Sequence, residues 1–249
     1  MKLLETRSLC KKFQRKTANG TTGVTAVHDV SLTVHEGDFI TITGKSGSGK
    51  TTLLTLLAGL SSPSSGAVLF KGVPFAEQSD QKLSRIRNRE IGFIPQGIGL
   101  LGNLSVLDNV RAPQMFAGEN RADSDRAHFL LETVGLGELA FEHPNNLSGG
   151  EMRRASIARA LFNQPSILIA DEPTSDLDPE NTAMILQLLA DIHRQGTAII
   201  VVTHEQGVAD CGRARFFMEN GILSAPMLQN VAPQGAEPPG AVMEEVPQA

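Results

Sequence analysis

The sequence predicts an α/β fold, a buried sheet with helices on its faces, and three observations carry that reading. First, the short apolar run Asp38 to Ile42 leads into Gly44-Lys45-Ser46-Gly47-Ser48-Gly49-Lys50-Thr51 and then into a leucine-rich helical pattern. This is the strand–loop–helix order of a phosphate-binding loop, G-x-x-x-x-G-K-[ST]. Second, the apolar run Ser166 to Ala170 ends in the acid pair Asp171-Glu172. Third, the apolar run Ala198 to Val202 ends in Thr203-His204. Continuous apolar runs suit parallel strands buried on both faces. Open sheets of that kind bind ligands at the carboxyl ends of their strands.

The elements follow in chain order. Leu3 to Val34 gives early strands, broken by the polar stretch Gln14 to Gly23, which reads as a hairpin or loop. In the phosphate-binding loop the glycines let several backbone N–H groups point at one anion. The following helix, Thr51 to Leu60, carries Leu53, Leu54, Leu56, Leu57 and Leu60 on its apolar face. Its N-terminus adds partial positive charge at the same spot. Lys50 then reaches the β- and γ-phosphates, and the Thr51 hydroxyl ligates Mg²⁺. A flexible Gly/Ser linker would not bring a strand and a helix with it.

Asp171 is placed to hold Mg²⁺ through water, because Mg²⁺ keeps several waters. Glu172 is placed to polarise the attacking water. Alone, an acid pair after a strand is as readily a solvated turn or a helix cap; beside a phosphate-binding loop that alternative is weak. Further on, Asp178-Pro179 starts a helix. Its buried stripe is Ala183, Met184, Ile185, Leu188, Leu189 and Ile192, and Gly196 stops it. Residues 225–249, rich in Pro, Gly, Gln and Glu, read as a disordered tail.

Composition bounds the function. The 249 residues allow one large domain or two small ones, and 41% hydrophobic content is ample for a core. A net charge of −5 gives no sign of nucleic-acid binding. Two cysteines, Cys10 and Cys211, are too few for a disulfide framework and suit a reducing cytosol. The N-terminus lacks the apolar region of a signal peptide. No run approaches the ~20 apolar residues that span a bilayer, so any membrane domain is expected on another chain.

Leu147-Ser148-Gly149-Gly150-Glu151, followed by Met152 to Leu161, resembles the LSGGQ signature of ABC-type ATPases and the helix after it. Ser148-x-x-Glu151 is also a capping box, and the two readings coexist. A Ser-Gly-Gly turn on a helix makes a second anion site. The resemblance implies that this site faces the nucleotide of a second protomer, with two ATPs sandwiched in a head-to-tail dimer. Glu151 stands where glutamine is usual. The implied fold is a P-loop NTPase core with a mixed sheet, an antiparallel β subdomain and an inserted helical subdomain at about 83–163, in an ATPase domain spanning 1–224.

The other motifs of the family fall in order. Ile91 to Gln96 looks like the strand and glutamine of the Q-loop, where Gln96 would touch Mg²⁺ and the attacking water. Pro173 to Asp178 looks like the D-loop, with Asp176 where a small residue or asparagine is common. His204 resembles the switch histidine that senses the γ-phosphate. Phe13 lies where the family stacks an aromatic on adenine; a core phenylalanine is the competing reading. The implied catalytic set is Glu172, His204 and Gln96. The ATP-binding set is Phe13, the loop from Gly44, Lys45, Ser46, Gly47, Ser48, Gly49 and Lys50 to Thr51 and Thr52, and Ser148, Gly149 and Gly150. The Mg²⁺ set is Thr51, Gln96 and Asp171.

Within the family the chain resembles ATPases of lipoprotein-releasing and macrolide-exporter systems and their cell-division relatives. The polar insertion after the first strand, Leu100-Leu101 with Leu104 to Val110, and Gln195-Gly196-Thr197 leading to Thr203-His204-Glu205 suggest it. A Thr-His-Glu here also occurs in amino-acid importers, and a non-transport ATPase acting on cell-wall or division control is the further alternative. Neither the paired cassettes of ribosome-acting relatives nor the long coiled coil of chromosome-structure relatives is present. The expected partners are a second copy of the chain and a separate membrane permease, at the cytoplasmic face of the inner or plasma membrane. Gly97 to Leu107, crowded with Ile98, Leu100, Leu101 and Leu104, is either the permease contact or packing inside the helical subdomain.

Overall fold

In the computed structural model, which describes residues 1–17, 20–117, 123–204, 209, 212 and 214–228, the chain opens with a long antiparallel hairpin. Its strands β1 (Lys2–Thr17) and β2 (Gly20–Val30) pair from Leu9 opposite Val30 to Thr17 opposite Gly20. The polar stretch Gln14 to Gly23 therefore lengthens both arms of a hairpin, and residues 18–19 lie outside the described residues. After β3 (Thr33–His35) the chain crosses to β4 (Phe39–Thr43) in a second sheet and enters α1 (Lys50–Leu57). It returns through β5 (Ser65–Phe70) and β6 (Val73–Pro74) to the first sheet, whose order is β2-β1-β5-β6 with β3 on β1. All pairings in that sheet are antiparallel.

Next come α2 (Asp80–Arg89), β7 (Ile91–Ile94), α3 (Val106–Phe116), α4 (Ser124–Thr133) and α5 (Gly149–Leu161). The chain closes with β8 (Ile167–Asp171), α6 (Pro179–Arg194), β9 (Ala198–Val202), β10 (Ala214–Glu219), β11 (Ile222–Leu223) and β12 (Met227–Leu228). The second sheet runs β11-β10-β4-β9-β8-β7. It is parallel from β10 to β7, with β11 and β12 antiparallel to β10. The fold is thus the expected α/β arrangement with a mixed and an antiparallel sheet.

Every residue of β4, β8 and β9 is buried, because side chains alternate across a strand and both faces are covered. Leu168, Ala170, Ile199 and Val201 pack with Val110, Leu131, Ile157 and Ile185 of the helices. Ile167, Ile169, Ile200 and Val202 pack instead with Leu53, Leu57 and the antiparallel sheet. The segment 83–163 includes β7, a strand of the parallel sheet, so its inserted helical part is confined to α3, α4 and α5, which follow β7.

Two stripes are shorter than expected. Helix α1 ends at Leu57 because Gly59 turns the chain with φ +66°, and Leu60 is exposed. In α6 the buried series is Ile185, Leu188, Leu189 and Ile192. Ala183 falls off that i, i+3, i+4 series, Met184 lies at its edge four residues before Leu188, and both are exposed. Asp178 caps α6 by accepting from the Asn181 N–H at 2.8 Å, as its position before Pro179 predicts. Of the segment expected to be disordered, 229–249 lies outside the described residues, whereas Met227 and Leu228 pair with β10. Among the described residues no helix is long and apolar enough to cross a membrane.

Candidate active site

The phosphate-binding loop leaves the end of β4, and two of its glycines are required by close approach. A Cβ on Gly49 (φ +107°) would sit 2.0 Å from the Ala26 carbonyl oxygen, and one on Gly44 would sit 2.2 Å from that of Met218. Gly47 (φ +77°) has open space beside it. The loop is braced from behind: the Gly221 N–H donates to the Ser48 carbonyl at 2.9 Å, and the His28 N–H donates to the Gly221 carbonyl at 2.8 Å. Lys50 is buried, and its Nζ donates to the Gly44 and Lys45 carbonyls at 2.8 and 3.0 Å. No side chain caps the start of α1, which leaves its first N–H groups to an anion. Ser46, Gly47, Gly49, Lys50, Thr51 and Thr52 line a cleft of about 210 Å³, closed by Ala26, Gln96 and Glu172. Gly44 and Ser48 sit behind that surface as supports, with Ser48 itself buried; Lys45 is exposed outside it.

Three strands deliver the acidic and polar groups to this cleft. Asp171 ends β8, is buried, and its Oδ1 has no hydrogen-bond partner. Burial pushes its carboxyl above the usual range; Thr51 hydrogen bonding opposes this, the Glu172 charge adds to it, and Lys50 and Arg153 pull it down. A divalent cation fits here, because an orphaned buried carboxylate oxygen lies beside a hydroxyl and needs positive charge. Among the described residues no group of three His, Cys, Asp or Glu side chains could hold a metal. Mg²⁺ binds through one or two carboxylates together with substrate phosphates and water, and Asp171 beside Thr51 offers one such carboxylate.

Glu172 adopts a left-handed backbone (φ +49°), uncommon outside glycine. Neighbours hold it there: its N–H donates to the Val202 carbonyl at 2.9 Å, and its carbonyl accepts from Ser175 N–H and Oγ at 3.2 and 3.0 Å. Its Oε2 lies 3.4 Å from Gln96 Nε2 and 3.4 Å from His204 Nδ1. The structure therefore brings together Gln96 after β7, Glu172 after β8 and His204 after β9. Glu205 lies outside the described residues.

Phe13 is 45% exposed, so it is not a core residue. Phe13 pairs with Val24 on the hairpin arm that carries the cleft-lining Ala26, where the register shifts between Lys11–Val27 and Lys12–Thr25. Its ring lies 5.2 Å beneath the Lys11 ammonium.

The signature residues do not reach this cleft within one chain. Ser148 caps α5 in the expected box: Glu151 Oε2 accepts from the Ser148 N–H at 2.7 Å and its hydroxyl at 2.8 Å. A Cβ on Gly149 would meet nothing, whereas one on Gly150 would lie 2.4 Å from Asn181 Oδ1. Gly149 therefore faces open space, and Gly150 is needed for packing on α6.

Two residues to which the sequence assigns no role of their own matter. Asn109, fully buried, shapes the segment after Gln96: its Oδ1 accepts from the Leu101 N–H at 2.7 Å, and its Nδ2 donates to the carbonyls of Leu101 and Ser105 at 3.0 Å each. Arg153 is 3% exposed and donates from Nη1 and Nη2 to the carbonyls of Pro95 and Gln96, both at 2.8 Å. The available signal was spacing, since Arg153 stands four residues before the buried Ile157 on one helical face.

A family model described as "ABC transporter" matches residues 27–175. Among solved structures, the ATP-binding cassette MJ0796 in a dimeric post-hydrolysis state bound to ADP and Pi is 32% identical, with a TM-score of 0.83 over 91% of this chain and 98% of that one. A second dimeric structure of MJ0796, described as a bacterial ABC transporter cassette, is 32% identical with a TM-score of 0.82 over the same shares, 91% and 98%. A nucleotide-free cassette from an ABC transporter, 23% identical, shares the fold with a TM-score of 0.77 over 92% of each chain.

Proposed function

This chain belongs to the ABC transporter family of ATP-hydrolysing cassettes, which use ATP and Mg²⁺, and from that premise we propose how its residues divide the work. The observation that carries the reading is the meeting of Gln96, Glu172 and His204 at three strand ends beside the phosphate-binding cleft. Glu172 polarises the attacking water, held between the amide of Gln96 and the imidazole of His204. Lys50 turns from the loop carbonyls to the β- and γ-phosphates. Thr51, Asp171 and Gln96 would hold Mg²⁺, which neutralises phosphate charge when bound. Phe13 stacks on the adenine. Ser148 and Gly149, uncovered and outside the cleft, serve the nucleotide of a second copy in a head-to-tail dimer; MJ0796, a relative, is dimeric. Residues 1–224 act as one ATPase unit whose helical part lies within 83–163 and is made by α3, α4 and α5.

The cassette powers a membrane permease on a separate chain, of the exporter or lipoprotein-releasing type, and sits peripherally on the cytoplasmic face of the membrane. A groove of about 330 Å³ beside β7 supports this: Phe93, Leu101, Ala112 and Pro113 line it with Arg87 and Arg159. Leu101 is 39% exposed there, whereas Leu100 packs partly onto the core. The polar substitution L101Q should leave ATP binding and folding intact but weaken co-purification with the cognate permease or its effect on turnover. Normal assembly with normal stimulation rejects the groove as the contact. Recovery of a substrate-binding protein with the complex would move the system to the importers, which the sequence Thr203-His204-Glu205 also fits.

A further inference from the structure

We propose that Arg153 is a positioning residue for Gln96: from the signature helix it grips the backbone on which Gln96 stands and so fixes where that amide meets the reacting groups. The inference rests on the reading of Gln96 as a ligand of Mg²⁺ and the attacking water.

The guanidinium is an expensive group to place here. It is 3% exposed, its Nε has no hydrogen-bond partner, and burial pulls it down from its ordinary value against the pull of Asp176 and Asp171. A side chain needed only to fill space would be met as well by an apolar one of similar volume. What the charge supplies is a fork of parallel N–H donors. Two of them close on consecutive carbonyls, Pro95 and Gln96, at 2.8 Å each. Gln96 itself is exposed, and its amide meets Glu172 at the long distance of 3.4 Å. A Cβ on the next residue, Gly97, would meet nothing within 4 Å. The backbone grip is thus the strongest fixed point of the glutamine. A second arginine of the same helix extends it, with Arg159 Nη1 donating to the Gly99 carbonyl at 2.7 Å.

The arrangement has a consequence for the composite site. Ser148 and Arg153 are five residues apart on one capped helix, a rise of ~7.5 Å. A shift of the helix end that meets a second protomer therefore carries the Gln96 backbone with it.

The test uses the full-length protein with R153M, R153Q, Q96A and the double variant R153M/Q96A. Amide exchange of the nucleotide-free protein should quicken over residues 96–99 in R153M while β8 and β9 keep their protection. Turnover in R153M should fall ~10- to 100-fold, the scale of a group displaced by about 1 Å, with ATP affinity unchanged. R153Q, able to donate to one carbonyl, should fall between, and it carries the test if R153M does not fold. Adding R153M to Q96A should cost no further turnover. If Q96A is impaired but R153M turns over normally, or if the two losses multiply, the positioning role is overturned. Normal turnover in Q96A itself would instead remove the role given to Gln96, and the proposal with it; the exchange data report the grip separately.

Discussion

Replacing Glu172 by Gln is the sharpest probe of the hydrolytic arrangement, because it alters one oxygen and keeps the shape of the side chain. The contacts of Oε2 to Gln96 and His204 are 3.4 Å each. Both are longer than the ~2.7–3.2 Å of an ordinary N–H···O bond, so their loss costs the resting state little. The deficit falls on the transition state, where such bonds tighten. A lost general base lowers rate by ~10²–10⁴-fold. At ~1.36 kcal/mol per decade this is ~2.7–5.4 kcal/mol of barrier. Substrate binding should survive, because the Glu172 charge is one of the influences that raise Asp171, and removing it favours the ionised metal ligand. E172Q should therefore bind Mg-ATP and accumulate as an ATP-bound dimer. Phosphate release at saturating Mg-ATP, equilibrium ATP binding and gel filtration read the three parts. Near-normal phosphate release by the purified variant would refute the assignment of the base.

Two further predictions concern assembly and stability. Cysteines placed at Ser46 and Ser148, with Cys10 and Cys211 replaced, should crosslink between protomers only when ATP is present; linkage confined to single chains would refute the head-to-tail sandwich. For the nucleotide-free fold, burial raises the Asp171 carboxyl, so the native state holds its proton more tightly than the unfolded chain. The contribution of Asp171 to stability is then fully present below its unfolded-state value and is lost as pH rises through the window up to the folded value. D171N should melt higher than the parent at neutral pH, lose that advantage below the carboxylate range, and lose hydrolysis at every pH; a lower melting temperature at neutral pH would sink the argument.

Much of this site was legible because its parts are local. A strand, a glycine loop and a helix adjacent in sequence must fold as one unit, so Gly44 to Thr52 could be read directly. The acids after β8 and the histidine after β9 were legible because apolar runs announce parallel strands, and parallel strands aim their carboxyl ends at one place. Arg153 and Asn109 were not, because their partners are loop carbonyls. Residue type carries no mark of where another segment's backbone runs. Leu60 and Met184 show the same limit, since periodicity says that a helix has an apolar face but not how wide the covering layer is. Phe13 was ambiguous for a related reason: an aromatic on a strand is core or surface according to what packs over it, and here that is a lysine.

The two halves of the site are prepared to different degrees, and the difference lies in Glu151. The phosphate-binding loop is already shaped, with Gly44 and Gly49 fixed by neighbouring carbonyls and Lys50 waiting on the loop itself. The signature turn is instead satisfied internally. Glu151 accepts from both the N–H and the hydroxyl of Ser148, and these bonds hold its carboxyl below the usual range. It is therefore a carboxylate at neutral pH, resting on the helix N-terminus where an incoming phosphate would benefit from the same partial charge. In the proposed sandwich a second copy's phosphate competes with Glu151 for the Ser148 hydroxyl and meets a like charge three residues away. A glutamine at this position could accept the same bonds without that charge. Closing the dimer must accordingly exchange the Ser148–Glu151 hydroxyl bond for a phosphate contact, while the remaining N–H bond and the packing of Gly150 on Asn181 keep the helix start in place.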